Sequence, residues 1–209
     1  MPLPRLYAIL DVDLLRARGL EPLAVAGAWV DAGVRLIQLR AKHLSFGPML
    51  ELADELSTVA RSAGARAVVN DRVDVARLAG AAGVHLGQTD LRPAEGRSLL
   101  GPNAIVGLST HTPAQVEAAC REPIGYVAIG PVYATTTKSG AEPIVGVEGV
   151  AAAAALAQRA NLPLVAIGGI TLERAAAVIA AGADSVAVIS DLVSAAPGVR
   201  ARQFLQALT

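Results

Sequence analysis

Short apolar runs recur along the chain with longer helical segments between them. The runs are Leu6 to Leu10, Leu36 to Leu39, Ala67 to Val69, Val84 to Leu86, Ile105 to Leu108, Tyr126 to Ile129, Leu164 to Ile167 and Ser185 to Ile189. Each has the length and residue types of a strand. The intervening segments, such as Met49 to Ala63, Pro113 to Ala119 and Leu172 to Ala180, repeat apolar residues at three and four, which is the helical period. Strands this apolar need cover on both faces, as parallel sheets with helical connections provide. Eight such βα units are the number that closes a barrel. The pattern therefore predicts a single-domain α/β protein over residues 1–209, a (β/α)8 TIM barrel. An open, doubly wound sheet is the alternative, but eight units in 209 residues favour closure.

Four of the strands follow an Ala-Gly pair, at Gly33, Gly64, Gly83 and Gly182. Each glycine is expected to close the preceding helix in the left-handed conformation. The connection after the sixth strand breaks the economy of the rest, since about sixteen residues, 131–146, precede the next helix. A loop of that length in a compact domain is usually functional or disordered.

Composition narrows the picture. Aromatic residues make up only 3% of the chain, so the core must be packed from Ala, Val, Leu and Ile. The formal net charge is zero, which excludes a bulk pull toward nucleic acid or anionic membrane and makes any anion site local. Cys120 is the only cysteine, so an internal disulfide is excluded and the residue reads as a small packing side chain. With no signal-peptide pattern at Met1-Pro2-Leu3-Pro4-Arg5 and no membrane-length apolar run, the chain reads as cytoplasmic. Trp29 on the first helix reads as a packing residue or as the mark of a contact in a homo-oligomer.

Candidate chemistry gathers where strands end. A period of two along Gln38-Leu39-Arg40-Ala41-Lys42 puts Gln38, Arg40 and Lys42 on the inner side, aimed at the barrel mouth, with Ile37 and Leu39 toward the helices. Cations there can hold a phosphate; deeper inside they would be costly to desolvate. The third strand ends at Asn70-Asp71 and the fourth leads to Gln88-Thr89-Asp90, so two carboxylates sit on adjacent strands. Two carboxylates without a dense cage suit Mg²⁺, which keeps waters and takes further oxygens from a substrate.

After the fifth strand, Ser109 could bond a substrate heteroatom or cap the helix that begins near Thr112. No acid and histidine spacing marks a charge-relay triad, so Ser109 does not read as a nucleophile. His85 and His111 are candidates for acid and base, or satisfied structural residues. The long loop offers Thr135, Thr136, Thr137 and Lys138, a phosphate-binding inventory. Gly168-Gly169 after the seventh strand and Ile189-Ser190 after the eighth lie where barrels bind phosphate through backbone N–H groups and a short helix N-terminus.

These motifs, taken in order, resemble the thiamine phosphate synthase family over essentially the whole chain. They are Gln38 through Lys42, Asn70 through Asp74, Gly83 through Asp90, Gly107 through Thr112, Gly130 through Lys138, and Ala166 through Thr171. The resemblance implies condensation of hydroxymethylpyrimidine diphosphate with a thiazole phosphate to thiamine phosphate and pyrophosphate. It implies Mg²⁺ on Asp71 and Asp90, with Arg40, Lys42, Ser109 and Lys138 as the catalytic set. Gln38, Leu39, Arg40, Ala41, Lys42, Asn70, Ser109 and Lys138 would then bind the pyrimidine diphosphate. Thr135, Thr136, Thr137, Gly169, Ile189 and Ser190 would hold the thiazole phosphate. The mechanism it implies is dissociative: pyrophosphate leaves first and the thiazole nitrogen captures a stabilised pyrimidine methyl cation.

One departure is Ala134, where the family commonly has proline. Two rival functions remain: a thiazole tautomerase paralogue using His111 as acid or base, and a non-catalytic sensor of phosphorylated ligands on the same scaffold.

Overall fold

A computed structural model describes residues 3–135 and 143–209. Its strands are β1 (Leu6–Asp11), β2 (Leu36–Arg40), β3 (Arg66–Asn70), β4 (Gly83–Leu86), β5 (Ile105–Thr110), β6 (Tyr126–Ile129), β7 (Leu164–Ile167) and β8 (Ser185–Val188). They pair in parallel in chain order, and β8 returns to β1 through Leu6 opposite Val186 and Ala8 opposite Val188. The barrel is closed, as the strand count predicts.

The helices are α1 (Val12–Ala17), α2 (Pro22–Ala32), α3 (Phe46–Ser62), α4 (Val73–Leu78), α5 (Pro93–Leu100), α6 (Pro113–Ala119), α7 (Gly146–Arg159), α8 (Leu172–Ala180) and α9 (Pro197–Ala207). All eight strand runs are found. The eighth ends one residue earlier than predicted, at Val188.

Alternation along the strands divides the interior in two. Leu6, Ala8 and Leu10 of β1 join the large cluster between sheet and helices, together with Ile37 and Leu39 of β2. Tyr7 and Ile9 turn inward to a smaller cluster with Leu36, Val68, Tyr126, Ala128, Val165 and Ala187. The inner cluster is the barrel's own core and holds Tyr7 and Tyr126, while Trp29 and Phe204 pack in the outer cluster against the helices. Trp29 is fully buried within one copy of the chain, which makes it a packing residue. Cys120 is half-buried at the end of α6.

Three of the four predicted helix-ending glycines have the expected backbone: Gly33, Gly64 and Gly182 lie at φ 110°, 67° and 106°. Gly83 does not. The left-handed residue after α4 is Gly80, at φ 55°. Gly83 already belongs to β4, and a Cβ there would fall 1.9 Å from the carbonyl oxygen of Ile105. It is a glycine of close strand approach, a requirement set by a neighbour far along the chain. No helix among the described residues is long and apolar enough to cross a membrane.

Candidate active site

The C-terminal ends of the strands carry the predicted residues, and the structure brings most of them to one rim. Gln38 is buried on the inner face of β2, where its Nε2 donates to Tyr7 Oη at 2.9 Å. Arg40, one step of alternation nearer the mouth, is ion-paired with Asp11 at the end of β1. Asp11 is itself buried and also accepts the Leu14 N–H at 3.0 Å, so it caps α1 and holds Arg40 together. Lys42 is exposed and ion-paired with Asp71. The predicted phosphate cations thus rest on carboxylates. Guanidinium has five N–H donors in a planar fork, so Arg40 can keep Asp11 and still present donors outward.

Leu39 turns toward the helices as alternation predicts, and Ala41 does the same. Both side chains belong to the buried cluster facing the helices, so neither lines the rim; only their backbone could touch a ligand. Asn70 is half-buried at the end of β3, opposite His85 of β4. A cleft of about 120 Å³ between the ends of β2 and β3 is lined by Lys42, Asn70, Asp71 and Arg72 among others.

Asp71 takes a left-handed backbone, φ 63°, directly after β3, and its N–H donates to the His85 carbonyl at 2.8 Å. Aspartate tolerates that conformation better than most residues. The turn presents its carboxylate to Asp90, which accepts the Gly87 N–H at 2.7 Å. Burial pushes the Asp90 carboxyl above the usual range, and the neighbouring Asp71 carboxylate pushes the same way, while the Gly87 N–H and Lys42 oppose them. Two carboxylates crowded together in this manner form an environment that a cation relieves. Among the described residues no cluster of three or more acidic, histidine or cysteine side chains could hold a metal. A carboxylate pair that leaves room for water and further oxygens is a donor set that would suit Mg²⁺.

Ser109 is not the cap of α6. Thr112 has that role, accepting the Gln115 N–H at 3.2 Å, while Ser109 Oγ lies 2.8 Å from His85 Nε2. The other ring nitrogen of His85 lies 2.8 Å from Tyr126 Oη, so a buried tyrosine stands where a triad would have an acid. His111 is anchored too, with Nδ1 2.6 Å from the Gly130 carbonyl.

The opposite side of the mouth is built from backbone. Gly168 and Gly169 have φ 104° and 62°, and Cβ atoms there would collide with Pro131 at 2.6 Å and with the Ala134 carbonyl at 2.5 Å. Both glycines let the β7 loop pass against the start of the β6 loop, a contact bonded through Tyr133 N–H to Gly168 O at 2.9 Å. Ile189 packs on the inner cluster and Ser190 is exposed beyond it. Residues 190–192 form a turn rather than the expected short helix, with Asp191 within it. Its carboxylate accepts the Leu172 N–H at 2.7 Å and pairs with Arg200, tying the β8 loop to the start of α8. Thr135 is half-buried in the β6 loop. Thr136, Thr137 and Lys138 lie outside the described residues.

Several residues that shape the rim were not singled out by sequence reasoning. Asp11 was within reach, since alternation from Tyr7 and Ile9 turns it inward at a strand end. Arg174 was not: its guanidinium stacks on the Tyr133 ring at 4.6 Å and donates to Gly169 O at 2.9 Å, bridging two loops distant in sequence. Arg18, which donates to Ser190 O at 3.3 Å from the end of α1, gave no signal either.

Comparison with known proteins agrees with this arrangement. A family model described as thiamine monophosphate synthase matches residues 6–192. A protein named thiamine-phosphate synthase from Koribacter versatilis (strain Ellin345) is 46% identical, covering 100% of this chain and 97% of its own. Another of that name from Chloroflexus aurantiacus is 42% identical, covering 98% and 92%. Among solved structures, thiamine phosphate pyrophosphorylase from Pyrococcus furiosus superimposes with a TM-score of 0.86 at 27% identity, covering 98% of this chain and 95% of its own. With the matched motifs spread over β1 to β8, this chain belongs to the thiamine monophosphate synthase family.

Proposed function

We propose that this chain condenses 4-amino-2-methyl-5-hydroxymethylpyrimidine diphosphate with 4-methyl-5-(2-hydroxyethyl)thiazole phosphate, or its carboxylated form, giving thiamine phosphate and pyrophosphate, and CO2 from the carboxylated form. The observation that carries the reading is the meeting of Asp71 and Asp90 beside Lys42, across the mouth from a glycine-built loop. One side suits a diphosphate with a cation, and the other suits a single phosphate. A bound Mg²⁺, held by Asp71 and Asp90, would neutralise charge on the leaving diphosphate.

Lys42, exposed and paired with Asp71, and Arg40, anchored by Asp11, receive the diphosphate oxygens as its carbon–oxygen bond breaks and pyrophosphate keeps the electron pair. The thiazole nitrogen then donates its lone pair to the pyrimidine methylene carbon. That nitrogen has no proton to lose, and where the carboxylated form loses CO2 the electron pair left on the thiazole ring carbon takes a proton from solvent, so neither the absence of a triad among the described residues nor the anchoring of His111 obstructs the reaction. Gly169, Ile189 and Ser190 would hold the thiazole phosphate so that its nitrogen faces the methylene. Thr135, Thr136 and Thr137 belong to the same proposal, and Lys138 to the diphosphate side.

The test is to mix the purified protein with both substrates and Mg²⁺ and to measure thiamine phosphate and pyrophosphate. Stoichiometric appearance of the two is expected. Tautomerisation of the carboxythiazole phosphate without condensation would overturn the reading in favour of the paralogous activity.

A further inference from the structure

A continuous line of polar groups crosses the otherwise apolar barrel interior. Gln38 Nε2 lies 2.9 Å from Tyr7 Oη, Tyr7 Oη 3.0 Å from Tyr126 Oη, Tyr126 Oη 2.8 Å from His85 Nδ1, and His85 Nε2 2.8 Å from Ser109 Oγ. Gln38, Tyr7, Tyr126 and His85 are all buried, and the line runs from β2 and β1 across to β6 and back to β4 and β5. Tyr7 and Tyr126 meet edge to face and His85 stacks on Tyr126 with ring centroids 5.6 Å apart, so the rings have little freedom to turn away. Gly107 makes the room: a Cβ there would fall 2.1 Å from Tyr126 Cζ.

Each phenol has one proton, and burial keeps both protonated, Tyr7 pushed up to about 12 and Tyr126 well above its ordinary value. Proton counting then gives the line a direction. With the Gln38 amide N–H on Tyr7, the arrangement that gives every proton of the line a partner within it runs from Tyr7 to Tyr126 and from Tyr126 to His85 Nδ1. His85 must carry its proton on Nε2 and donate it to Ser109 Oγ. That leaves two outputs at the mouth. Ser109 keeps its hydroxyl proton to donate, and Gln38 keeps its amide oxygen to accept.

We propose that Tyr126 is a positioning residue that sets the polarity of this line, and that the resulting acceptor at Gln38 and donor at Ser109 select a 4-aminopyrimidine over a 4-oxopyrimidine. The selection rests on the function proposed above. An aminopyrimidine offers an amino donor next to a ring-nitrogen acceptor, the complement of the two outputs. The 4-oxo analogue reverses both groups, and each reversal leaves a polar group facing its own kind, which is where hydrogen-bonding sites discriminate most strongly.

Two measurements test it. In ¹⁵N-histidine-labelled protein, His85 should show the Nε2–H tautomer while His111, which donates from Nδ1 to Gly130, shows the opposite one, and a His85→Gln sample assigns the signals. Tyr126→Phe should shift the His85 signals toward a mixture of tautomers. In calorimetry with Mg²⁺ and no thiazole, the wild-type chain should bind the aminopyrimidine diphosphate on the order of 100-fold more tightly than its 4-oxo analogue. Tyr126→Phe should cut that ratio to about 10-fold, the scale of one hydrogen bond.

A wild-type His85 protonated on Nδ1, or an unchanged binding ratio in Tyr126→Phe, would overturn the proposal. Selective binding of the aminopyrimidine without condensation would instead overturn the proposed function and leave the polarity standing. If neither pyrimidine binds, the function and the selectivity both fail, and the tautomer decides the direction of the line.

Discussion

The two halves of the barrel mouth are built from different materials. The side formed by β1 to β4 uses charged side chains, with Arg40 on Asp11, Lys42 on Asp71, and Asp71 crowded against Asp90. The side formed by β6 to β8 uses main chain, with Gly168 and Gly169 in left-handed conformations and Asp191 and Arg200 serving to hold loops. The difference matches what each substrate of the proposed condensation would undergo. A diphosphate that leaves gains charge as its bond breaks, so groups that answer charge stabilise the transition state more than the ground state. A phosphate that stays attached changes little, and rigid donors that place it are sufficient.

The largest effect should come from removing a charge on the first side. Asp71→Asn keeps a side chain that tolerates φ 63° and should lower kcat by on the order of 100- to 1000-fold, read as pyrophosphate release, with thiazole phosphate binding little altered. Near-normal turnover in this variant would erase the distinction between the two sides. Lys138→Ala is expected to stop pyrophosphate release as well, measured in the same assay.

A change on the second side should act on the other substrate. Gly169→Ala introduces a Cβ 2.5 Å from the Ala134 carbonyl at a positive φ, a strain on the order of 1–3 kcal/mol. It should raise KM for the thiazole phosphate by about 10-fold or more, while KM for the pyrimidine diphosphate moves little. An equal rise in both would show that the glycine loop serves the whole mouth.

Between the two sides lies the barrel core, where Gly107→Ala would drive a methyl group into the Tyr126 ring. Overpacking of that kind should lower stability by about 1–3 kcal/mol, measured by urea unfolding. Arg174→Ala, which loses only the Tyr133 stack and one bond to Gly169, should raise KM for the thiazole phosphate a few-fold.

The smallest effect concerns pH. Because burial raises the Asp90 carboxyl in the folded chain, Asp90 stabilises the metal-free fold below the ordinary carboxylate range, and that contribution is lost as pH rises through the raised value. Mg²⁺ binding needs the ionised form and should weaken on acidification from a higher pH than an ordinary aspartate would give. Magnesium titrations of wild type and Asp90→Asn across the carboxylate range would show it. A wild-type curve with the ordinary aspartate midpoint would mean that Asp90 is not crowded by Asp71.

Much of the rim was legible because alternation is local. Once β2 is a strand, Gln38 and Arg40 must share the inner face, and Leu39 must leave it. Asp71 and Asp90 were legible for the same reason, as acids placed just after strands. The helix caps were less so, since an Ala-Gly pair looks alike whether the glycine closes a helix, as Gly182 does, or clears a neighbouring strand, as Gly83 does. Ser109 had two equal readings until Thr112 was seen to cap α6.

The amino-acid sequence by itself determined the eight βα units, their order, and which residues of β2 face inward, because these follow from periodicities of two and of three to four within short stretches. Only the tertiary structure decided the partners. Closing the barrel brings Asp11 to Arg40, Tyr126 to Tyr7 and His85, and Arg174 to Tyr133 across gaps in sequence that no local period encodes. Those pairings set whether a cation rests or is free, which way a buried proton points, and where a glycine is required, since each depends on distance in space.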